Sequence, residues 1–380
     1  VVLFTAVVAA LAQWHYRSEP LATAAWLGAC AAVFGWRARR DQDLRAVLTT
    51  MVLLAVTLAG IGLLLPRRAR AERSAVIDAP RATVFALVDG FGNFNKWSPW
   101  FEKDPDAKYT YEGPRSGVGA KMTWSGDPEK SGSGSQEIVE SHPWELVRTS
   151  LDFGPEGKAR AQFTLTPEAG STRVLWGFDT DLGMNPVNRY FGLMIGRMVG
   201  ADYEKGLAGL KKLAEGLPKA DFAGLEIETV EVAPETVAYV AASSPQDEKA
   251  IGAAIGSAYA QVGRFMAARR LKQSAPPITI TTRWADSVYE FEAAIPVDRA
   301  PEREVGAASP VQIKQTYAGR ALRAIHRGPY GGMPATYEKL VAYAAAYAHE
   351  AAGPSWDQYV SDPGNTPEAE LVTHLYMPIR

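Results

Sequence analysis

Residues 225–380 say the same thing twice, and an internal repeat restricts a fold more than any local propensity, because both copies must adopt one unit and share a core. The first copy runs "LEIETVEVAPETVAYVAASSP", a helical stretch from about Asp247 to Leu271, then "ITITTRW" and "VYEFEAAIPV". The second runs "VQIKQTYAGRALRAIHRGPY", a helical stretch from about Met333 to Ala352, then "WDQYVS" and "ELVTHLYMPI". Each copy is therefore expected to form strand, strand, helix, strand, strand.

Aligning the two closing strands on Pro296 and Pro378 sets Glu292 opposite His374, Glu290 opposite Val372 and Ala294 opposite Tyr376. Each helix must bury its stripe against Tyr289, Phe291 and Ile295 or against Leu371, Leu375 and Met377. The other face then carries Glu290, Glu292, Val372, His374 and Tyr376, which are expected to meet in a groove between the copies. A carboxylate there is desolvated, and a cationic ligand or a protonated His374 is the natural compensation. Tyr239, Trp284, Tyr317, Tyr330, Trp356 and Tyr376 are candidate walls, with cation–π attraction of roughly 0.5–2 kcal/mol per contact. Glu290, nearer the strand start, suits a solvent edge equally well, and His326 is expected to order the turn that follows it.

The motif "HRGPY" at 326–330, the helix "TYEKLVAYAAAY" and the ending "DPGNTPEAELVTHLYMPI" resemble the GyrI-like effector-binding domain, over residues 225–380. That resemblance implies a ligand-sensing module of the kind attached to AraC- and MerR-type regulators. It also implies a lipophilic, often cationic, ligand held between two halves by aromatics and a buried glutamate, and in a few members hydrolysis of cyclopropane-type compounds. Family members carry such a glutamate where this chain has His374, a departure that removes one formal charge.

Upstream, "VIDAPRATVF", "WSPWF", "GVGAKMTWSG", "GSGSQEIVES" and a terminal helix ending "GLAGLKKLAE" follow one another over residues 70–216. A helix, a run of antiparallel strands and a final long helix, from about Val187 to Leu213, predict an α+β unit whose curved sheet wraps that helix. The series resembles the polyketide cyclase/dehydrase branch of the START-like (SRPBCC) superfamily, which implies a hydrophobic cup for apolar small molecules. Trp97, Trp100, Trp124, Phe153, Trp176 and Tyr190 are the candidate lining, against the plainer alternative that they are core. Residues 217–224, with Pro218, Lys219, Asp221 and Gly224, read as a linker between the two domains.

Residues 1–69 read as a membrane region with up to three spanning helices. The strongest is Ala46 to Leu65, twenty positions without a charge, which as a helix extend roughly 30 Å, the thickness of a hydrocarbon core. "VVLFTAVVAALA" and "LATAAWLGACAAVFGW" are shorter apolar segments, and the absence of an opening methionine is expected of a truncated product or fragment. Arginines flank the third segment on both sides, at 37, 39, 40 and 45 and at 67, 68, 70 and 73, so its orientation is left open.

With 40 Lys+Arg against 42 Asp+Glu the chain has no net basic character, and no helix-turn-helix precedes either domain, so no nucleic-acid partner is expected. One cysteine, Cys30, excludes an intrachain disulfide and a thiolate metal cluster, and the five histidines show no zinc-binding spacing. No metal, no cofactor and no catalytic residue is assigned. The expectation is a membrane-anchored protein binding a hydrophobic, cationic or neutral, small molecule. The alternative is a hydrolase of reactive lipophiles in which Glu292 or His374 acts as general base.

Overall fold

The computed structural model describes residues 42–303, 305–306 and 308–380. The two apolar segments upstream of residue 37 lie outside the described residues. The described residues form two compact units, one of Gln42–Ala69 with Asp181–Met194, the other of Arg70–Thr180 with Ile195–Arg380.

In the first unit, helix α1 (Gln42–Leu64) is, among the described residues, the one helix long and apolar enough to cross a membrane, over Arg45–Leu64. Val52, Leu53, Leu54 and Val56 stand exposed along it. Side chains of the Asp181–Met194 segment meet carbonyls at and near its C-terminal end. Arg189 Nη1 donates to the Leu63 carbonyl at 2.5 Å and to that of Leu65 at 3.2 Å, and the Tyr190 hydroxyl donates to the Leu58 carbonyl at 2.7 Å.

The second unit holds two antiparallel sheets with helices, an α+β architecture. Strands β1 (Arg68–Ile77), β2 (Lys108–Glu112), β3 (Lys121–Ser125), β4 (Ser133–His142), β5 (Leu146–Asp152), β6 (Lys158–Glu168) and β7 (Ser171–Asp181) form the first sheet, in the order β1-β7-β6-β5-β4-β3-β2. Helix α2 (Arg81–Val88) is buried at every position from Ala82 to Val88, as its Ala-Thr-Val-Phe-Ala-Leu-Val composition requires. Helix α3 (Pro186–Glu215) lays Tyr203, Leu207 and Leu210 on the sheet face that carries Phe163, Val174 and Trp176.

The second sheet is built from β8 (Ile227–Val232), β9 (Thr236–Pro245), β10 (Ile278–Ala285), β11 (Val288–Pro296), β12 (Gln312–Gln315), β13 (Gly319–Arg327), β14 (Trp356–Tyr359) and β15 (Val372–Pro378). Their order is β12-β9-β11-β10-β14-β15-β13-β8. Exchange each strand for its counterpart in the other repeat, and the order reads the same backwards. The two copies are thus related by a pseudo-twofold axis through the facing pair Thr279 and Asp357. One feature lay beyond the sequence pattern: each copy's first strand, β8 or β12, pairs in the other copy's half.

That exchange forces the sheet to roll. In a flat sheet β8 and β9 would be six spacings apart, ~29 Å. Yet Val232 and Thr236 are four residues apart in sequence, a span of at most ~14 Å, and Gln315 and Gly319 impose the same limit on β12 and β13. The two connectors meet, Thr316 N donating to the Glu235 carbonyl and Glu235 N to Thr316 Oγ1, each at 2.9 Å. Inside the roll Val237, Ile278, Ile280, Ala294, Ala321, Trp356 and Tyr376 make a buried core. On its outer face pack α4 (Glu248–Arg269), against β9 and β11, and α5 (Met333–Ala346), against β13 and β15.

The stretch 217–224, expected as a linker, is mostly exposed but anchors one side chain: Phe222, 2% exposed, packs with Ala82 and Ala86 of α2 and Ala342 and Ala346 of α5. Four alanines let the two helices approach closely, and Asn93 Nδ2 donates to the Ala346 carbonyl at 2.7 Å across the same interface.

Candidate functional site

Because α4 and α5 cover the outer flanks of the rolled sheet, the central strands β10 and β14 floor a groove between them. Strand β14 has the sequence Trp-Asp-Gln-Tyr, and alternation sends Trp356 and Gln358 inward and Asp357 and Tyr359 outward, to the groove. Asp357 is 5% exposed, and its Oδ1 accepts a hydrogen bond from the Tyr337 hydroxyl at 2.7 Å. Around it stand Tyr259 of α4, Tyr289 of β11, Tyr330 of a 3₁₀ turn and Tyr359 itself. Ring centroids of Tyr330 and Tyr259 lie 5.4 and 6.3 Å from that of Tyr359, both edge-on. The Tyr259 hydroxyl is 3.1 Å from Thr279 Oγ1, the pseudo-twofold counterpart of Asp357.

Burial pushes the Asp357 carboxyl up to about 7, opposed by the Tyr337 hydrogen bond, with no basic side chain among the causes. Burial likewise raises Tyr289, Tyr337 and Tyr359. The groove is therefore a set of neutral phenols over one buried acid that has no basic partner among the described residues. Tyr330 is held there by His326, whose Nε2 donates to the Pro329 carbonyl at 3.0 Å, leaving Nδ1 to accept from Thr336 at 2.8 Å.

The acid and imidazole expected to confront one another do not. Glu292 and His374 share the inner face, but β10 and β14 run between their strands, three spacings or ~14 Å apart. Glu292 is ion-paired with Lys314, whose ammonium also lies 4.8 Å from the Tyr239 ring, so this carboxylate already has its cation. Burial, then Arg323 and Arg327, lowers the pKa of His374, so it is no imidazolium. Trp356 and Tyr376 stack at 4.7 Å inside the roll with Tyr317 beside them, as core and not as cleft wall. Glu290 is a solvent edge, its side chain 43% exposed and paired with Arg283 at 3.3 Å. Of the expected walls, Tyr330 reaches the groove, and Trp284, turned outward by a bulge in β10, stands exposed 5.0 Å from Tyr289.

In the first sheet the six candidate cup residues separate. Trp97, Trp100 and Trp176 pack with Phe163 and Tyr203; the Tyr203 ring lies flat on Trp176 at 3.7 Å, so these tryptophans are core. A side chain at Gly206 would sit 2.6 Å from Trp176, so that glycine admits the indole against α3. Trp124 and Phe153 form a separate edge-on pair at 5.9 Å. Tyr190 belongs to the other compact unit, with its hydroxyl on α1.

Residues 68–215 match the family described as polyketide cyclase / dehydrase and lipid transport, and residues 225–380 match the GyrI-like small molecule binding domain. The chain carries one domain of each family. No curated protein matches it. Among solved structures, a chain of the EcmrR–DNA complex is 18% identical with a TM-score of 0.37, covering 41% of this chain and 57% of its own. The chain thus spans little more than half of that protein. A hydrolase from Listeria innocua is 14% identical at a TM-score of 0.31, over 41% of this chain and 92% of its own. Norcoclaurine synthase from Thalictrum flavum is 10% identical at a TM-score of 0.33, over 38% and 92%. At such scores the assignment of the two domains rests on the family matches.

Proposed function

We propose that the chain is a membrane-anchored binding protein for hydrophobic small molecules, whose GyrI-like domain holds a lipophilic cation in the tyrosine groove over Asp357. The observation that carries this reading is a buried carboxyl without a basic partner among the described residues, surrounded by phenols. A bound cation supplies the missing charge, and desolvated aromatic contacts add cation–π attraction of ~1–2 kcal/mol each. Helix α1, without a charge from Ala46 to Leu64, with exposed Met184, Val187, Phe191, Leu193 and Met194 in the same compact unit, supports the membrane anchor. The family of the first domain supports an apolar cargo there as well, with the half-buried Trp124 and Phe153, at the margin of the core, as its candidate aromatics. A small molecule, and not nucleic acid, is the partner proposed, on the near balance of charge.

Titration of the full chain in non-ionic detergent with tetraphenylphosphonium, against the size-matched tetraphenylborate anion, tests the groove. Saturable binding of the cation alone, weakened about tenfold or more in D357N, is the expected result. Equal affinity for cation and anion, or an unchanged D357N, removes the reading. A second reading, hydrolysis of a reactive lipophile, is favoured by the same carboxyl, held near neutrality by burial beside the Tyr337 hydroxyl as a general base would be. Turnover of a cyclopropane or ester probe that D357N abolishes supports it, and binding without turnover excludes it.

A further inference from the structure

Where α2 of the polyketide-cyclase-like domain meets α5 of the GyrI-like domain lies a cavity of about 240 Å³ that shares no lining residue with the tyrosine groove. Each domain contributes one guanidinium to its lining, Arg115 from the first and Arg320 from the second. Arg115 Nη2 donates to the Ala348 carbonyl at 3.3 Å, and neither arginine is in an ion pair among the described residues. The nearby acid, Asp89, accepts from the Ser141 hydroxyl at 2.6 Å and pairs with neither. His349 also lines the cavity, and its Nδ1 is buried without a partner. Burial first, then the two arginines, pushes His349 down to about 4, so the ring is neutral and leaves the two guanidiniums as the cationic groups of the lining. The lining also carries an aromatic patch: Tyr343 and Tyr347, ring centroids 4.5 Å apart, beside Ala86 and Ala346, with His349 stacked on Tyr343 at 6.3 Å.

We propose that this interdomain cavity binds an organic carboxylate, the guanidiniums of Arg115 and Arg320 holding the carboxylate and the Tyr343–Tyr347 wall taking its apolar body. An inorganic anion would use the arginines and leave that wall unpaired, so the apolar half of the lining selects an organic acid. A guanidinium from each domain makes occupancy a tie between them, independent of what the groove over Asp357 holds.

Calorimetric titration of the full chain in non-ionic detergent with sodium benzoate, and separately with inorganic phosphate, tests the assignment. Benzoate is expected to bind once per chain, about tenfold more weakly in R115A and in R320A, and far more tightly than phosphate. G92L supplies a test that leaves both arginines in place. Gly92 lines the cavity and an added Cβ there meets open space, so leucine plugs the cavity without disturbing the backbone and should abolish benzoate binding. Unchanged thermal melting and unchanged tetraphenylphosphonium binding in R320A and G92L show that the fold and the groove are intact. Benzoate binding that does not saturate, that survives R320A and G92L, or that phosphate equals overturns the proposal.

Discussion

The two domains each gather a cluster of aromatics on a sheet face beneath a helix, and the clusters do opposite things. In the polyketide-cyclase-like domain Trp97, Trp176, Phe163 and Tyr203 stack face to face and edge to face until the space is filled. In the GyrI-like domain Tyr259, Tyr330, Tyr337 and Tyr359 stand between two helices that do not close over them, above an acid. One helix laid across the middle of a sheet makes a core. Two helices on its flanks leave a groove, and a pseudo-twofold repeat delivers two.

Truncation breaks the comparison most directly. Trp176→Ala should cost about 3–5 kcal/mol of stability in denaturant unfolding, since it empties a site packed on several sides, whereas Tyr330→Ala should cost less than about 1 kcal/mol. A similar cost for both would mean that the groove is core too.

A smaller effect comes from Asp357. Folded, it keeps its proton up to about 7, against an ordinary value of 3.8, so the folded chain binds more protons than the unfolded one and stability falls as pH rises across that window. Asp89, pushed up to about 6 by burial, adds to the same trend. Asp357→Asn should therefore flatten the pH profile and stabilise the protein by about 1–3 kcal/mol at pH 8, read by thermal or denaturant melts at pH 5 and pH 8. Tetraphenylphosphonium affinity in the parent chain should rise between pH 6 and pH 8 as the carboxyl ionises. His374→Gln should leave that rise unchanged, because a histidine whose pKa is lowered is already neutral there.

The smallest effect sharpens the contrast between the two glutamates of β11. Glu290→Gln removes an exposed pair with Arg283 and should change stability by less than about 0.5 kcal/mol. Glu292→Gln leaves the half-buried Lys314 without its partner and should cost more, by a margin that holds in high salt, where exposed pairs are screened.

Much of the architecture was legible before any coordinates. The repeat of strands and helices, the apolar faces that receive α4 and α5, and the two family resemblances all follow from periods of 2 and 3.6 and from turn residues, which are local properties of the chain. The site was less so. Alternation in "WDQYVS" already placed Asp357 and Tyr359 together and apart from Trp356. A strand pattern says which side chains share a face, but not which face will be enclosed. Two long-range facts decided that: the exchange of β8 and β12 between halves, which rolls one face shut around Trp356 and Tyr376, and the insertion of two strands between Glu292 and His374. Both depend on pairings between segments far apart in sequence, where the entropy of loop closure and the burial of a shared core, and not local preference, select the partner.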